Sequence, residues 1–260
     1  MTSGARAAGT AFALITLVTG CYTPGYNTYS TVRTTPPRGV SAAFHFQVTG
    51  HSGEVGGERE PYIAPFPPGV SGRYGLAERL DAGLRLGISV PDAYSVGGDV
   101  KWLVLPGEAL DLARDPGLLF SSVNHLGIDE PAIDEPSPEQ EHDFWQLRAP
   151  ILTGLNLSRA VVVVLTTGFV YGWPSPEFLP PQGDRTRFVD GFAPLVGLGI
   201  NFRADESIAF HPEATLVFST DDGERRTIYT FGFALQFGRL PRTIRTAEPQ
   251  QPAKQPRRAE

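Results

Sequence analysis

The sequence predicts an all-β protein built as a single antiparallel, up-and-down β-barrel that crosses a membrane. Three observations predict this class. After residue 20, apolar residues recur at every second position in many segments, which is the period of a strand with two different faces. No run of 18 consecutive apolar residues follows residue 20, so no transmembrane helix is expected. Short and long connections between the segments alternate, as they do in a barrel whose strands run up and down.

The composition agrees with this class and excludes others. Hydrophobic residues make up 41% of the 260 residues, which suits strands with one polar face. The 29 glycines and 24 prolines favour turns and kinked strands over long helices. A formal charge of -6 argues against nucleic acid as a partner, since phosphate binding needs a basic face. The single cysteine excludes an internal disulfide and a multi-cysteine zinc site, and no metal or other cofactor is predicted.

Residues 1–20 have the layout of a signal peptide. Arg6 provides a short basic start, and residues 7–18 form an apolar stretch too short to span a bilayer as a helix. The sequence Val18-Thr19-Gly20-Cys21 that follows resembles the lipobox of bacterial lipoproteins. The resemblance implies cleavage before Cys21 and acylation of that cysteine, for example with palmitate. The alternative is an ordinary secretory signal with a chance cysteine.

The residue after the cysteine bears on the destination of a lipoprotein. It is Tyr22 and not Asp, and in that family an Asp often retains the product in the inner membrane. Its absence therefore favours the outer membrane. Residues 21–39 lack apolar periodicity and contain Pro24, Pro36 and Pro37, which predicts a flexible tether.

The body of the chain, residues 40–239, is predicted to form the barrel. Ten candidate strands follow in order at residues 40–49, 69–77, 80–89, 95–105, 110–122, 146–157, 160–173, 191–203, 207–219 and 226–238. Eight strands remain possible, because Asp115-Pro116-Gly117 interrupts the fifth segment. Pro194 and Pro212 remove ladder donors, so bulges are expected there.

The connections predict the orientation. Short turns fall at residues 77–79, 106–108, 157–159 and 204–206, and long loops fall at 50–68, 123–145 and 174–190. Outer-membrane barrels have short periplasmic turns and longer outer loops. Ten strands then place both termini, and with them the lipid anchor, on the periplasmic side. Residues 240–260 are rich in proline and basic residues and are predicted to be a disordered periplasmic tail.

Two segments resemble outer-membrane β-barrel proteins. The hairpin from Arg73 to Asp81 has their style of turn. The residues Thr230, Gly232, Leu235 and Phe237 fit the barrel-assembly signal of polar, any, Gly, two of any kind, apolar, any, aromatic. The resemblance implies the barrel-assembly machinery and outer-membrane lipid as partners. In that family the chain usually ends at the signal, whereas here 23 residues follow Phe237.

Charged residues fall on the non-aromatic face of their strands, which is the lumen face in a membrane barrel. A charge facing lipid near the midplane would cost about 2–4 kcal/mol, so this placement supports the assignment of faces. A network of paired charges that fills a narrow barrel is one interpretation, and a charged pore or binding site is the other. The predicted lumen residues are Arg73, Asp81, Arg85, Asp99, Lys101, Arg148, Arg203 and Glu213.

The sequence names no reaction. His211 and Glu213 share a face, and a Glu could orient a His as a general base. However, Gly-x-Ser-x-Gly does not occur, and both His45 and His211 are expected to point inward. We therefore expect a non-enzymatic outer-membrane barrel lipoprotein with a structural or surface-interaction role and an unspecified extracellular partner. The alternatives are a lipid-modifying barrel enzyme, a small-solute pore and a soluble barrel that carries a small ligand.

Overall fold

The computed structural model describes residues 26–52, 62–89, 93–125, 140–174, 189, 191–221 and 224–241. These residues form twelve β-strands. The strands are β1 (Val40–Ser52), β2 (Tyr62–Ala77), β3 (Leu80–Ser89), β4 (Ala93–Leu105), β5 (Leu110–Arg114), β6 (Gly117–His125), β7 (Gln140–Arg148), β8 (Ile151–Asn156), β9 (Val161–Pro174), β10 (Gly191–Arg203), β11 (Ile208–Asp221) and β12 (Glu224–Gly238). No helix among the described residues is long and apolar enough to cross a bilayer.

The strands close into one antiparallel barrel with ten positions around its wall. Each strand position pairs with the next one from β1 to β12, including β9 with β10. Because β12 also pairs with β1, the described sheet closes on itself. β5 and β6 occupy one position, because both pair with β4 in the same register. β7 and β8 share another position against β9 in the same way. The predicted all-β barrel of ten strands is confirmed.

The two split positions lie side by side in the wall. Asp115 and Pro116 separate β5 from β6, and Ala149 and Pro150 separate β7 from β8. The amide of Asp115 donates to the Pro150 carbonyl at 3.1 Å, and the amide of Val100 donates to the Pro116 carbonyl at 2.9 Å. The interruption seen in the sequence is therefore a local break in the ladder and not a loss of the strand.

The bulges predicted at the two strand prolines are absent from the described ladders. Pro194 pairs in constant register with Phe169, and Pro212 does so with Phe233. A bulge needs an extra residue in one strand, whereas a proline removes only one hydrogen-bond donor. The register shifts lie elsewhere, in β1 against β2, β2 against β3 and β4 against β5.

The two ends of the barrel differ in their connections. One end, here called the short-turn end, carries the connections at 78–79, 106–109, 157–160 and 204–207. The opposite end, here called the loop end, carries those at 53–61, 90–92, 126–139, 175–190 and 222–223.

The outward face of the wall is apolar. Exposed large hydrophobic residues recur at alternate positions, for example from Phe44 to Val48 on β1 and from Leu216 to Phe218 on β11. Soluble monomers rarely expose a contiguous apolar patch of more than a few hundred Å². Among the outward-facing strand side chains that the structure describes, Arg114 and Asp143 carry charge, and Arg114 pairs across strands with Trp102.

Aromatic side chains gather at the loop end of this face. Rings of neighbouring strands, and of two residues of β9, contact one another with centroids 4.8–6.5 Å apart, in a row formed by Tyr94, Phe120, Trp145, Trp173 and Tyr171. Trp102 and Tyr74 are exposed on the outward face towards the short-turn end. Transmembrane barrels carry aromatic residues of this kind at both interfaces of an apolar band.

Candidate functional site: the occluded barrel lumen

The lumen is filled by the chain's own N-terminal segment. Residues 26–38, here called the plug segment, precede β1 and pass through the barrel. Tyr26, Asn27 and Val32 are each 2% exposed or less, although no strand of the wall includes them. The prediction of a flexible tether over residues 21–39 is therefore wrong for the plug segment. The wall supplies hydrogen-bond partners and apolar contacts that hold this segment inside the barrel.

The plug segment runs from the loop end to the short-turn end. Tyr26 belongs to an apolar cluster with Val170, Ala193, Leu195, Val217 and Ile228, which lie in the loop-end halves of their strands. Val32 belongs to a second apolar cluster that includes Leu103, Leu152 and Val162 near the short turns. At the short-turn end, the amide of Arg38 donates to the Gly75 carbonyl at 2.8 Å.

A cluster of charges lies between these two apolar regions. Arg73 is its centre: its guanidinium lies 2.6 Å from Asp81, 2.6 Å from Asp99 and 3.2 Å from Asp115. Two further cations complete it, Lys101 at 3.5 Å from Asp81 and Arg85 at 3.3 Å from Asp99. Buried charges are stable only when they are paired and hydrogen-bonded, and each carboxylate here has a cation beside it.

Five of the eight predicted lumen residues thus come together, and sequence reasoning missed a sixth member. Asp115 was assigned to a strand interruption because it precedes Pro116 and Gly117. Its position in the alternation carried the signal, since Asp111 and Ala113 of β5 and Asp115, which directly follows β5, are all buried on the lumen side.

The charge cluster also holds the plug segment. The Lys101 ammonium donates to the Thr31 carbonyl at 3.0 Å, and Arg85 donates to the Thr28 carbonyl at 2.6 Å. Asp81 accepts a hydrogen bond from the amide of Thr35 at 2.6 Å. Side chains of the wall therefore satisfy the main-chain groups of a segment that has no strand partner of its own.

Glu213 binds the plug segment from the opposite wall. Its carboxylate accepts hydrogen bonds from the amide of Thr28 at 2.9 Å and from the amide of Tyr29 at 2.6 Å. The phenol of Tyr29 donates to the Phe46 carbonyl at 2.8 Å. The φ of Tyr29 is 47°, in the left-handed region that non-glycine residues rarely adopt, so these contacts hold the backbone in a specific conformation.

Of the remaining two predicted lumen residues, Arg148 lines a small cavity with Arg85, Asp99 and Asp115, whereas Arg203 lies at the short-turn end. Arg148 donates to the Gln146 side chain at 3.2 Å. Arg203 donates to the Pro241 carbonyl at the short-turn end. Sequence reasoning missed the ion pair between Arg33 of the plug segment and Asp111, at 2.7 Å, because it treated the plug segment as solvated.

The chain after β12 begins inside the barrel mouth. Leu240 and Pro241 are buried, so the first two residues of the predicted disordered tail pack against the protein. Residues 242–260 lie outside the described residues. So do the predicted signal peptide, residues 1–20, and Cys21.

The cavities beside Arg85, in the described part of the lumen, are small. Two cavities beside Arg85 have volumes of about 40 and 30 Å³, which accommodate only a few water molecules. A vestibule of about 1030 Å³ opens at the short-turn end, and charged side chains line it, including Arg33, Arg79, Glu108 and Arg239. Solutes can therefore enter the vestibule, whereas the plug segment fills the lumen beyond it.

The two lumen histidines whose side chains the structure describes, His45 and His211, are not open to a substrate. His211 is fully buried, with Nε2 3.7 Å from Glu213 and Nδ1 3.4 Å from the Asn201 amide nitrogen. His45 is buried and stacks on the ring of Tyr29, with centroids 5.4 Å apart. Within the described part of the chain, no group of three or more His, Cys, Asp or Glu is placed to hold a metal ion.

Comparison with known proteins returns similar folds and no family. No family model matches the chain, and no curated protein matches its sequence. Among solved structures, the outer membrane protease OmpT from Escherichia coli matches with 10% identity over 81% of this chain and 100% of that chain, with a TM-score of 0.43. The translocator domain of the autotransporter NalP from Neisseria meningitidis matches with 14% identity over 89% and 96%, and a TM-score of 0.39. Ail of Yersinia pestis matches with 10% identity over 77% and 99%, and a TM-score of 0.31. These similar structures are outer-membrane barrel proteins.

Proposed function

We propose that this protein is an outer-membrane β-barrel lipoprotein with a closed lumen, and that its role is structural or one of surface interaction. The observation that carries the proposal is the plug segment, which fills the lumen between two apolar clusters and is hydrogen-bonded to both walls. A lumen occupied in this way among the described residues disfavours the passage of a solute, so the pore is the weaker alternative. The buried positions of His45 and His211 likewise offer no support for the lipid-modifying enzyme.

The outward face supports insertion into a membrane. Its exposed side chains are aliphatic and aromatic, and the charges of the strands point into the lumen, apart from Arg114 and Asp143 among the described residues. A soluble barrel that carries a ligand would show the opposite arrangement, with polar residues outside and an apolar cavity inside.

The lipid anchor rests on the sequence alone. The lipobox-like residues ending in Cys21 follow an apolar signal core, and the chain has no other cysteine. Replacing Cys21 by Ala should abolish metabolic labelling with a fatty acid and leave the signal uncleaved by the lipoprotein peptidase. Undiminished labelling of the Cys21→Ala protein would show that the acyl group is carried elsewhere.

Membrane insertion is tested by a matched pair of substitutions. Leu198 lies midway along β10 and is 54% exposed, and Leu157 lies in a short turn and is 61% exposed. If the wall lies in lipid, Leu198→Arg should lower the free energy of unfolding by about 2–4 kcal/mol. Leu157→Arg, near the interface, should lower it by only about 0–1 kcal/mol. The measurement is urea unfolding from lipid vesicles. Equal effects of the two substitutions would place the wall in water and favour the soluble barrel.

The closed lumen is tested separately in planar bilayers. Purified wild-type protein should insert without a steady current, because the plug segment fills the lumen. Open, ion-selective channels from the wild type would overturn this part of the proposal and make transport the better description of its function.

A further inference from the structure

We infer that the plug segment enters the barrel from the cell-surface side, so that the N-terminus of the mature protein, together with its lipid, lies on the outer face of the membrane. This inference rests on the proposed outer-membrane insertion and lipidation, and it deepens both. It replaces the periplasmic anchor that the ten strands and the alternation of short turns and long loops predicted.

The position of Tyr26 gives the direction. Tyr26 belongs to one buried apolar cluster with Val170, Val217 and Ile228, all in the loop-end halves of their strands. Its hydroxyl lies 3.4 Å from the Gln146 amide nitrogen, also on the inner wall. The longer loops of an outer-membrane barrel face the outside. The chain therefore passes Tyr26 near the outer opening and reaches the periplasmic end only at Arg38.

The length of chain before Tyr26 cannot lead back to the periplasm. On β9, nine residues separate Val161 at the short-turn end from Val170 beside Tyr26. At about 3.3 Å per residue and a strand tilt of about 40°, this corresponds to a height of about 23 Å along the barrel axis. Five residues separate Cys21 from Tyr26, and fully extended they reach at most about 17 Å.

The lumen between those two levels is also already occupied. The plug segment itself descends there, tied to Glu213 at Thr28 and to Lys101 at Thr31. A second strand of chain running back to the periplasm would have to displace it. The same reach of about 17 Å does suffice in the other direction. β9 continues only four residues beyond Val170, about 10 Å of height, so Cys21 can pass over the rim to the outer leaflet.

The arrangement implies an order of assembly. We expect the plug segment, residues 26–38, to be inside before β1 and β12 pair, because that pairing closes the wall around it. The N-terminus and its acyl chains then cross to the outer leaflet while the barrel is still open. The partner at the surface is the outer-leaflet lipid, which holds the acyl chains by burial of their methylene groups.

The experiment places single cysteines for labelling with a membrane-impermeant maleimide. Thr23→Cys reports on the N-terminus, Ser137→Cys reports on the loop end and Glu206→Cys reports on an exposed short turn. In intact cells, Thr23→Cys should be labelled as fully as Ser137→Cys, with no increase after permeabilisation. Glu206→Cys should be labelled only after permeabilisation. If Thr23→Cys behaves as Glu206→Cys does, the inference is wrong.

Separate readouts identify which proposal has failed. Each variant is checked for a heat-modifiable band on unboiled gels, and loss of that band from the wild type would count against the barrel in the membrane. The wild type should not react with maleimide, because acylation converts the Cys21 thiol to a thioether. If the wild type is labelled on intact cells, Cys21 is not acylated, but the plug segment does enter the barrel from the cell-surface side. A wild type labelled only after permeabilisation would refute both the acylation of Cys21 and entry from that side.

Discussion

Replacing Glu213 by Ala tests whether the plug segment is part of the folded barrel. The Glu213 carboxylate is buried, and it accepts hydrogen bonds from the backbone amides of Thr28 and Tyr29 at 2.9 and 2.6 Å. The substitution leaves both amides buried without an acceptor. An unsatisfied buried group costs about 1–3 kcal/mol, so we expect the free energy of unfolding to fall by about 2–6 kcal/mol.

A graded series sharpens this prediction. In Glu213→Gln the amide oxygen can still accept one of the two hydrogen bonds, while its NH₂ group faces the other donor. We therefore expect the free energy of unfolding of Glu213→Gln to lie between those of the wild type and the Glu213→Ala variant. Glu206→Ala is the control, because Glu206 lies in an exposed turn, where substitutions usually change stability by no more than about 0.5 kcal/mol.

The assay is urea unfolding in detergent followed by tryptophan fluorescence, with band migration on unboiled gels as a second measure. A Glu213→Ala protein as stable as the Glu206→Ala control would refute the reasoning. It would mean that the amides of the plug segment find water when the carboxylate is removed, and that the segment is not a fixed part of the lumen.

Two further predictions concern the charge cluster and a short turn. Arg73→Met removes the cation shared by three buried carboxylates and should lower the free energy of unfolding by about 3–5 kcal/mol. Adding Asp115→Asn should restore part of this loss, because it removes one of the carboxylates left without a cation. A double variant no more stable than Arg73→Met would show that Arg73 and Asp115 do not stabilise the barrel together. At the turn, hydrogen bonds from the backbone amide and hydroxyl of Ser207 hold the pKa of the Asp205 carboxyl below its usual range. Since the folded-state pKa is depressed, the turn's contribution to stability is present above the unfolded pKa and is lost as the pH falls through the folded value. NMR titration of the Asp205 carboxyl should show this low midpoint, and a midpoint at the ordinary value of about 3.9 would contradict it.

The wall of the barrel could be predicted because its signal is local. Whether a residue faces the lumen or the lipid depends on whether its position along the strand is odd or even, and that repeats every second residue. Arg73, Asp81, Arg85, Asp99 and Lys101 were assigned to one face on this basis, and they meet within one cluster. The ten strand positions followed from the same alternation and its turns.

Asp115 shows how a local signal can be overridden by another. Its neighbours Pro116 and Gly117 indicate a break, and the ladder does break there. However, the β5 and β6 registers against β4 are continuous across the break, so Asp115 keeps its place on the lumen side. A proline interrupts the hydrogen bonds of a strand without changing the face on which the preceding residue lies.

The sequence by itself determined the class of fold, the two faces of each strand and the apolar belt, because these depend on residues one or two positions apart. Whether the plug segment is solvated or buried in the lumen was decided only by the tertiary structure. Ser30, Asn27 and the four threonines of the segment have the composition of a solvated linker, and no period distinguishes them. Thr28, for example, is buried with its amide bonded to Glu213, 185 residues further along the chain, which supplies the acceptor that water would otherwise provide. Long-range pairing of this kind leaves no periodic trace in the sequence, and it decides that the plug segment lies in the lumen and runs from the loop end to the short-turn end.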